Sequence, residues 1–243
     1  MTGKLIGKVA IVTGASAGIG EAAARMLANE GASLVITARR EDRLKNLANE
    51  FKLQGTESIY IVGDASEEAT AKETVDAAIK EFGRVDILIN NTGIGNYKEL
   101  VDTSVAEYDE MMITNMRSTF LFTRYVVPQM ILQGNGTILM ISSMAGINGY
   151  PGQAVYCSTK FAQMGFAKSL DKELRPKGIK VGVICPGGVK TEFAIGKGRT
   201  KEGVAKSEML ETTDVAASIL LACTQSAGSR IIEIQMRTMA EGL

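Results

Sequence analysis

Seven short apolar runs, separated by longer segments with helical spacing, constrain this chain more than any other feature. They are KVAIVTG (8–14), ASLVITA (32–38), ESIYIVG (57–63), VDILINN (85–91), GTILMIS (136–142), IKVGVIC (179–185) and SRIIEIQ (229–235). Several are apolar on both faces, as strands of a parallel sheet covered by helices on both sides must be. The intervening segments are long enough for right-handed crossover helices. The expected fold is therefore α/β, a doubly wound, seven-stranded parallel sheet with helices on both faces, and one domain absorbs residues 1–243. The longest stretch without clear periodicity, residues 187–211 (GGVKTEFAIGKGRTKEGVAKSEMLE), follows a strand's carboxyl end and reads as a mobile lid.

Composition narrows the chemistry. With 243 residues, 45% of them hydrophobic, the chain can bury a large core. Its 27 basic and 27 acidic side chains cancel, so no global field favours nucleic acid or a membrane surface. The opening MTGKLIGKVAIVTG has too short an apolar run for a signal peptide, and no run approaches the roughly 18 apolar residues of a membrane span. These features read as a soluble, cytoplasmic protein. Cys157, Cys185 and Cys223 are scattered and form no CxxC pair, which supports neither a disulfide framework nor a metal cage. The chain has no histidine, so Ser-His-Asp hydrolysis, HExxH metalloproteolysis and histidine-ligated zinc are excluded. Acid/base chemistry must use Tyr, Lys, Asp, Glu or Cys.

After the first run comes TGASAGIG (13–20), followed by the helical pattern EAAARMLANEG. Glycines at 14, 18 and 20 permit a tight turn and a close approach of backbone N–H groups to a pyrophosphate at the positive end of a helix. The second run ends in TARRED, with Ala38 where an NAD site would place a carboxylate, then Arg39 and Arg40. An acidic residue there repels a 2′-phosphate and arginine attracts it, so the sequence predicts NADP(H) in preference to NAD(H), with Arg39 the main phosphate ligand. Further along, AVYCSTK (154–160) sets Tyr156 four positions before Lys160. If 153–175 is a helix, the two share a face. An ammonium roughly 5 Å from the phenol, at an effective dielectric of about 20, favours phenolate by about 3 kcal/mol, or roughly two units below a reference near 10. That reading makes Tyr156 an acid/base near neutral pH.

Taken together these motifs resemble the short-chain dehydrogenase/reductase family, over nearly the whole chain. Its TGxxxGxG is TGASAGIG here, its NNAG is NNTG (90–93), and its helix asparagine is Asn115 in ITNMRSTF. Its serine is Ser143 in ISSMAG, its YxxxK is Tyr156 and Lys160, and its PG with a following threonine is PGGVKT (186–191). The resemblance implies a Rossmann-like domain similar to 3-oxoacyl carrier-protein reductases and carbonyl reductases. It also implies hydride transfer between nicotinamide and a ketone or aldehyde, reversible as alcohol oxidation. Tyr156 would donate the proton to the substrate oxygen, Ser143 would hydrogen-bond that oxygen, Lys160 would hold the nicotinamide ribose, and Asn115 would position a water linking Lys160 to solvent. Ser142 is a neighbouring alternative that the family spacing disfavours. In the cofactor site the resemblance places Ser16 and Ile19 beside the glycines of the loop, Asp64 and Ala65 at the adenine, Asn91 and Gly93 under the adenosine half, and Pro186, Gly187, Val189 and Thr191 around the nicotinamide. Asp64 has a second reading, as a turn residue before a helix capped by Ser66. Members of this size are similar in forming homotetramers, which the apolar helical stretches 110–132 and 154–174 permit. Two departures stand out: Thr92 for the usual alanine of NNAG, and Ser118 where many members have glycine.

The expected substrate pocket, Ile94, Gly95, Asn96, Met144, Asn148, Tyr150 and Phe193 with parts of the lid, is apolar with neutral polar groups and suggests an uncharged or weakly polar carbonyl compound. Action on a 3-oxoacyl carrier protein is the alternative; the lid lysines and Arg199 suit an acidic carrier, but Glu192, Glu202, Glu208 and Glu211 nearly cancel them. A catalytically silent NADP(H)-binding protein is the alternative of another class, and the full set of Asn115, Ser143, Tyr156 and Lys160 argues against it. A sugar-nucleotide epimerase would resemble GxxGxxG instead, and a Ser-Lys hydrolase would leave the glycine loop without a purpose.

Overall fold

The computed structural model describes residues 3–240, so residues 1, 2 and 241–243 of the expected domain lie outside the described residues. Seven strands, β1 (Val9–Thr13), β2 (Ser33–Ala38), β3 (Ser58–Val62), β4 (Ile87–Asn90), β5 (Gly136–Ile141), β6 (Ile179–Pro186) and β7 (Glu233–Met236), form one sheet. Their order is β3-β2-β1-β4-β5-β6-β7, and every pairing is parallel. All seven apolar runs therefore become strands. The seventh begins later than its run suggested: the Ile231 carbonyl passes so close to β6 that a Cβ on Gly182 would lie 2.4 Å from it, and only from Glu233 does the chain pair in register with β6.

Alternation along each strand sends side chains to two separate cores. Ala10 and Val12 face Leu27, Leu44, Phe51, Val215 and Ile219, carried by α1 (Gly18–Asn29), α2 (Glu41–Leu53) and, after the short α7 (Lys201–Lys206), by α8 (Thr212–Cys223). Val9 and Ile11 face Val75, Phe122, Val126 and Met164. Those belong to α3 (Glu68–Phe82), to α5 (Ser118–Gln133), which follows α4 (Val105–Met112), and to α6 (Ala154–Leu174). The chain runs outward from β1 to β3, then returns to lay β4 on the other side of β1. A crevice consequently opens between the carboxyl ends of β1 and β4, the switch point where open α/β sheets take ligands.

The opposite end of the same two strands is held by Asp86. Its carboxylate, only 3% exposed, accepts from Lys8 Nζ at 3.1 Å, Arg84 Nη2 at 2.6 Å and the Val9 amide at 3.0 Å. Burial alone would raise this carboxyl, but Arg84, the Val9 N–H and Lys8 outweigh it and hold it below its ordinary value. Both cations keep access to water, so Asp86→Ala should cost about 2–3 kcal/mol rather than the full value of a buried pair. Thermal unfolding should report a midpoint lower by roughly 4–12 °C. Because the folded value is depressed, this contribution is complete above the unfolded carboxylate value near 3.9 and is lost as pH falls through the folded one; the wild-type and mutant midpoints should converge in acid.

Candidate active site

Where β1 ends, the chain turns sharply. Gly14 and Gly18 adopt φ of 65° and 61°, a region that costs a side-chain-bearing residue about 1–2 kcal/mol. A Cβ on Gly20 would lie 2.4 Å from both the Gly14 carbonyl and Asn91 Nδ2, so Gly20 works from behind the loop by allowing α1 to approach. Asn91 ties the loop to β4: its Nδ2 donates to the Thr13 carbonyl at 2.9 Å, while Thr13 Oγ1 accepts from the amides of Asn91 and Thr92, each at 3.0 Å. Thr92 Oγ1 is buried without a hydrogen-bond partner among the described residues. The amino terminus of α1, whose first amides have no intrahelical acceptor, thus opens onto a cleft of about 950 Å³ lined by Gly14, Ser16, Gly18 and Ile19. This glycine cradle fits a dinucleotide pyrophosphate.

Arg39, Arg40, Asp64, Ala65, Asn91 and Gly93 continue the lining. Arg40 is already engaged, donating from Nε to Ser16 Oγ at 3.1 Å and from Nη1 to Glu192 Oε2 at 2.7 Å. The Arg39 side chain is 71% exposed, and among the described residues its one ionic neighbour is Asp64 Oδ2 at 3.9 Å. Asp64 Oδ1 accepts from the amide and hydroxyl of Ser66 at 2.9 and 2.8 Å. Burial would raise its carboxyl, but these bonds and Arg39 hold it low. Ser66 therefore closes a turn onto Asp64 and caps nothing, since α3 starts from Glu67.

The chemistry-bearing side chains meet at the other end of the cleft. Helix α6 puts Tyr156 and Lys160 on one face, with Lys160 Nζ 5.7 Å from the Tyr156 ring centre. Ser143, from the turn after β5, accepts from the Ala145 amide at 3.1 Å and stands beside the Tyr156 phenol on the cleft wall. Ser142 is different: it is buried, and its hydroxyl donates to the Lys160 carbonyl at 3.2 Å. Both serines border the cleft, and the Ser143 hydroxyl also donates to a backbone carbonyl, that of Pro186 at 3.4 Å.

One electrostatic expectation is reversed. Burial, with Tyr97 adding to it, pushes the Tyr156 phenol up, and the Ser143 hydrogen bond and Arg199 only partly offset this. Lys160 does not offset this rise, because it is neutral before the buried phenol would titrate; its Nζ donates to the Ile141 carbonyl at 2.9 Å and to Gln163 Oε1 at 3.1 Å. Burial in turn brings Lys160 down to about 8. The charge argument from the sequence omitted desolvation, which here is the larger effect.

Asn115 lies behind the wall, fully buried in a π-helical turn, Ile113–Arg117, between α4 and α5. Its side chain accepts from the Ile94 amide at 2.7 Å and donates to the Ile94 carbonyl and Thr159 Oγ1, each at 2.9 Å. Its own carbonyl accepts from Gln163 Nε2 at 3.0 Å. Gln163 thus joins Asn115 to Lys160 directly, with its Nε2 on the Asn115 carbonyl and its Oε1 on Lys160 Nζ. Gln163 was missed in the sequence, although its place three residues after Lys160 puts it on the same helix face.

Four of the expected substrate residues with side chains, Ile94, Met144, Tyr150 and Phe193, do line the cleft, as does Gly95. Asn96 and Asn148 do not. Asn96 Nδ2 is drawn to Glu107 Oε1 at 2.8 Å, the carboxylate of the Ser104 capping box that starts α4, and Asn148 stands exposed on the surface. The lining adds Tyr97 and Arg199, which corrects the expectation of a neutral pocket. Pro186, Gly187, Val189 and Thr191 lie where β6 leaves the sheet, on the cleft wall as expected. The segment after them is pinned on both flanks: Glu192 accepts from Arg40 and Arg43, which hold its carboxyl down to about 2, and Lys197 pairs with Glu110 at 3.4 Å.

The model of a family described as short chain dehydrogenase matches residues 8–202. The chain is a short-chain dehydrogenase/reductase. An uncharacterized oxidoreductase of Thermotoga maritima is 35% identical over 91% of this chain and 92% of its own length. A 3-oxoacyl-[acyl-carrier-protein] reductase of Staphylococcus epidermidis is 32% identical over 90% of this chain and 93% of its own. Among solved structures, a metagenomic short-chain oxidoreductase in complex with NADP superposes with a TM-score of 0.84, at 31% identity over 98% of this chain and 100% of that one. An alcohol dehydrogenase from the archaeon Thermococcus sibiricus, complexed with 5-hydroxy-NADP, gives 0.88 at 30% identity over 97% and 98%. This short-chain dehydrogenase is accordingly an oxidoreductase with the Rossmann-like fold, and its glycine loop and Tyr-Ser-Lys cluster occupy one cleft.

Proposed function

We propose that this short-chain dehydrogenase/reductase is an NADP(H)-dependent carbonyl reductase, running in reverse as an alcohol dehydrogenase. The observation that carries the reading is the meeting of the Ser143 hydroxyl and the Tyr156 phenol at one end of a cleft whose other end is the glycine loop. When bound, the dinucleotide supplies the hydride. Gly14, Ser16, Gly18 and Ile19 hold its pyrophosphate, Arg39 its 2′-phosphate, and Val189 and Thr191 its carboxamide end. Ser143 orients the substrate oxygen and Tyr156 gives it a proton, for which a phenol raised by burial is well suited to remain protonated at neutral pH. Lys160 faces the Tyr156 ring and supports the negative charge that develops on it, and Asn115, through Gln163, fixes Lys160 in place.

The test is NADPH and NADH oxidation with a panel of ketones, aldehydes and a 3-oxoacyl thioester, followed across pH. Lys160 is cationic below about 8 and neutral above it, so kcat/KM for reduction should fall on the alkaline side of about pH 8. Lys160→Arg should move that limb upward. A flat profile through pH 10 would remove Lys160 from the reading. The Staphylococcus epidermidis relative favours the 3-oxoacyl carrier-protein reductase as a second reading, and failure to reduce any acyl thioester would dismiss it. The assembly we expect is a homotetramer, supported by exposed Val105, Tyr108, Phe120 and Phe161 on α4, α5 and α6. Among the described residues no helix is long and apolar enough to cross a membrane.

A further inference from the structure

We propose that Arg199 is the anion-recognition group of the substrate pocket, and that the carbonyl substrate carries a carboxylate. The inference rests on the reductase reading and names the substrate class for that same cleft.

Arg199 comes from the segment covering the pocket, and its guanidinium stacks over two rings, 5.9 Å from the centre of Tyr97 and 5.8 Å from that of Phe193. Each of those rings in turn touches Tyr156, with centres 5.7 Å apart. The cation therefore sits one ring away from the proton donor, on the cleft wall. Most other charges of this segment are paired nearby, and the remaining two, Lys201 and Glu208, lie off the cleft wall. Lys190 pairs with Glu211 at 2.6 Å, Lys197 with Glu110 at 3.4 Å, Lys206 with Glu202 at 2.6 Å, and Glu192 with Arg40 and Arg43. No carboxylate among the described residues comes within ion-pair distance of Arg199; its polar neighbours are the Val189 carbonyl at 3.4 Å and the Tyr97 hydroxyl.

A half-buried guanidinium braced on aromatic faces keeps most of its planar fork unsatisfied, and that fork matches a carboxylate bidentately. The apolar rings around it exclude water, which strengthens an ion pair made there. A carboxylate a few bonds from the reacting carbonyl would reach Arg199 while the carbonyl oxygen lies at Ser143 and Tyr156. Binding energy taken from this remote group then orients the carbonyl.

The experiment compares a short series of oxo acids with their methyl esters as substrates, using NADPH-loaded wild type, Arg199→Met and Arg199→Lys. In parallel, hexanoate and hexanamide are titrated calorimetrically into the NADP-loaded proteins. Wild type should prefer oxo acid over ester by about 10–100-fold in kcat/KM, the size of a charge-assisted hydrogen-bonded pair. Arg199→Met should erase that preference, lowering kcat/KM for the acids far more than for the esters, and Arg199→Lys should restore part of it. Hexanoate should bind more tightly than hexanamide only where residue 199 is a cation. Esters turned over as well as acids by wild type, or equal losses on both in Arg199→Met, would overturn the inference and leave the reductase reading intact. Arg199-dependent hexanoate binding without turnover of any carbonyl compound would uphold the anion site and defeat the reductase reading.

Discussion

Tyr156→Phe is expected to lower kcat/KM for carbonyl reduction by about 10³-fold, within the range general acid catalysis commonly supplies. The substitution removes one oxygen from a buried position on the cleft wall and leaves the ring contacts with Tyr97 and Phe193 in place. Folding and the glycine loop should be unaffected, so NADPH affinity should stay within about threefold. The loss should appear in kcat as well as in kcat/KM, because the proton is transferred only in the transition state. Steady-state kinetics beside a fluorescence titration of NADPH checks both halves. A mutant retaining a tenth or more of its turnover would transfer the proton-donor role elsewhere, with Ser143 and Tyr97 the neighbouring hydroxyls on the cleft wall.

Arg39→Asp should reverse the cofactor preference, raising the NADPH dissociation constant by about 100-fold with little change for NADH. The two arginines after β2 are not equivalent in the structure. Arg40 is held by Ser16 and Glu192, whereas the fork of Arg39 is largely exposed beside the cleft. Losing a charge-assisted bond of roughly 1.5–3 kcal/mol accounts for most of the effect, and repulsion by the new carboxylate adds to it. Because the site is open to solvent, the wild-type preference should narrow as salt rises. Equal discrimination by wild type and mutant in paired titrations would assign the phosphate to Arg40 or to neither residue.

What could be read from the sequence was what depends on local pattern. The seven strands were legible because both-face apolar runs leave few alternatives, and the glycine loop because its spacing matches a turn that only such residues tolerate. Tyr156 and Lys160 were legible because four residues make one turn of helix. What was lost depends on partners distant in the chain. Asn96 looked like a pocket residue, but the capping carboxylate of α4 takes its amide. Arg199 was visible as one charge among many, yet its availability follows from which acids the neighbouring lysines find, and Lys197 finds one 87 residues away. The π-turn at Asn115 carries no spacing signal of its own. Burial of Tyr156, which reversed the expected shift of its phenol, is a property of the assembled α6, the turn after β5 and the segment bearing Phe193.

The most direct measurement of the central claim is isotopic. NADPH carrying deuterium at the transferable position of the nicotinamide is incubated with the carbonyl panel and wild type or Tyr156→Phe, and products are weighed by mass spectrometry. Wild type should yield at least one alcohol with a single deuterium on the carbinol carbon, and the mutant should yield it about 10³-fold more slowly. NADPH that binds to the cleft and delivers deuterium to no carbonyl compound, oxo acids included, would contradict the reductase account and leave a nucleotide-binding protein in its place.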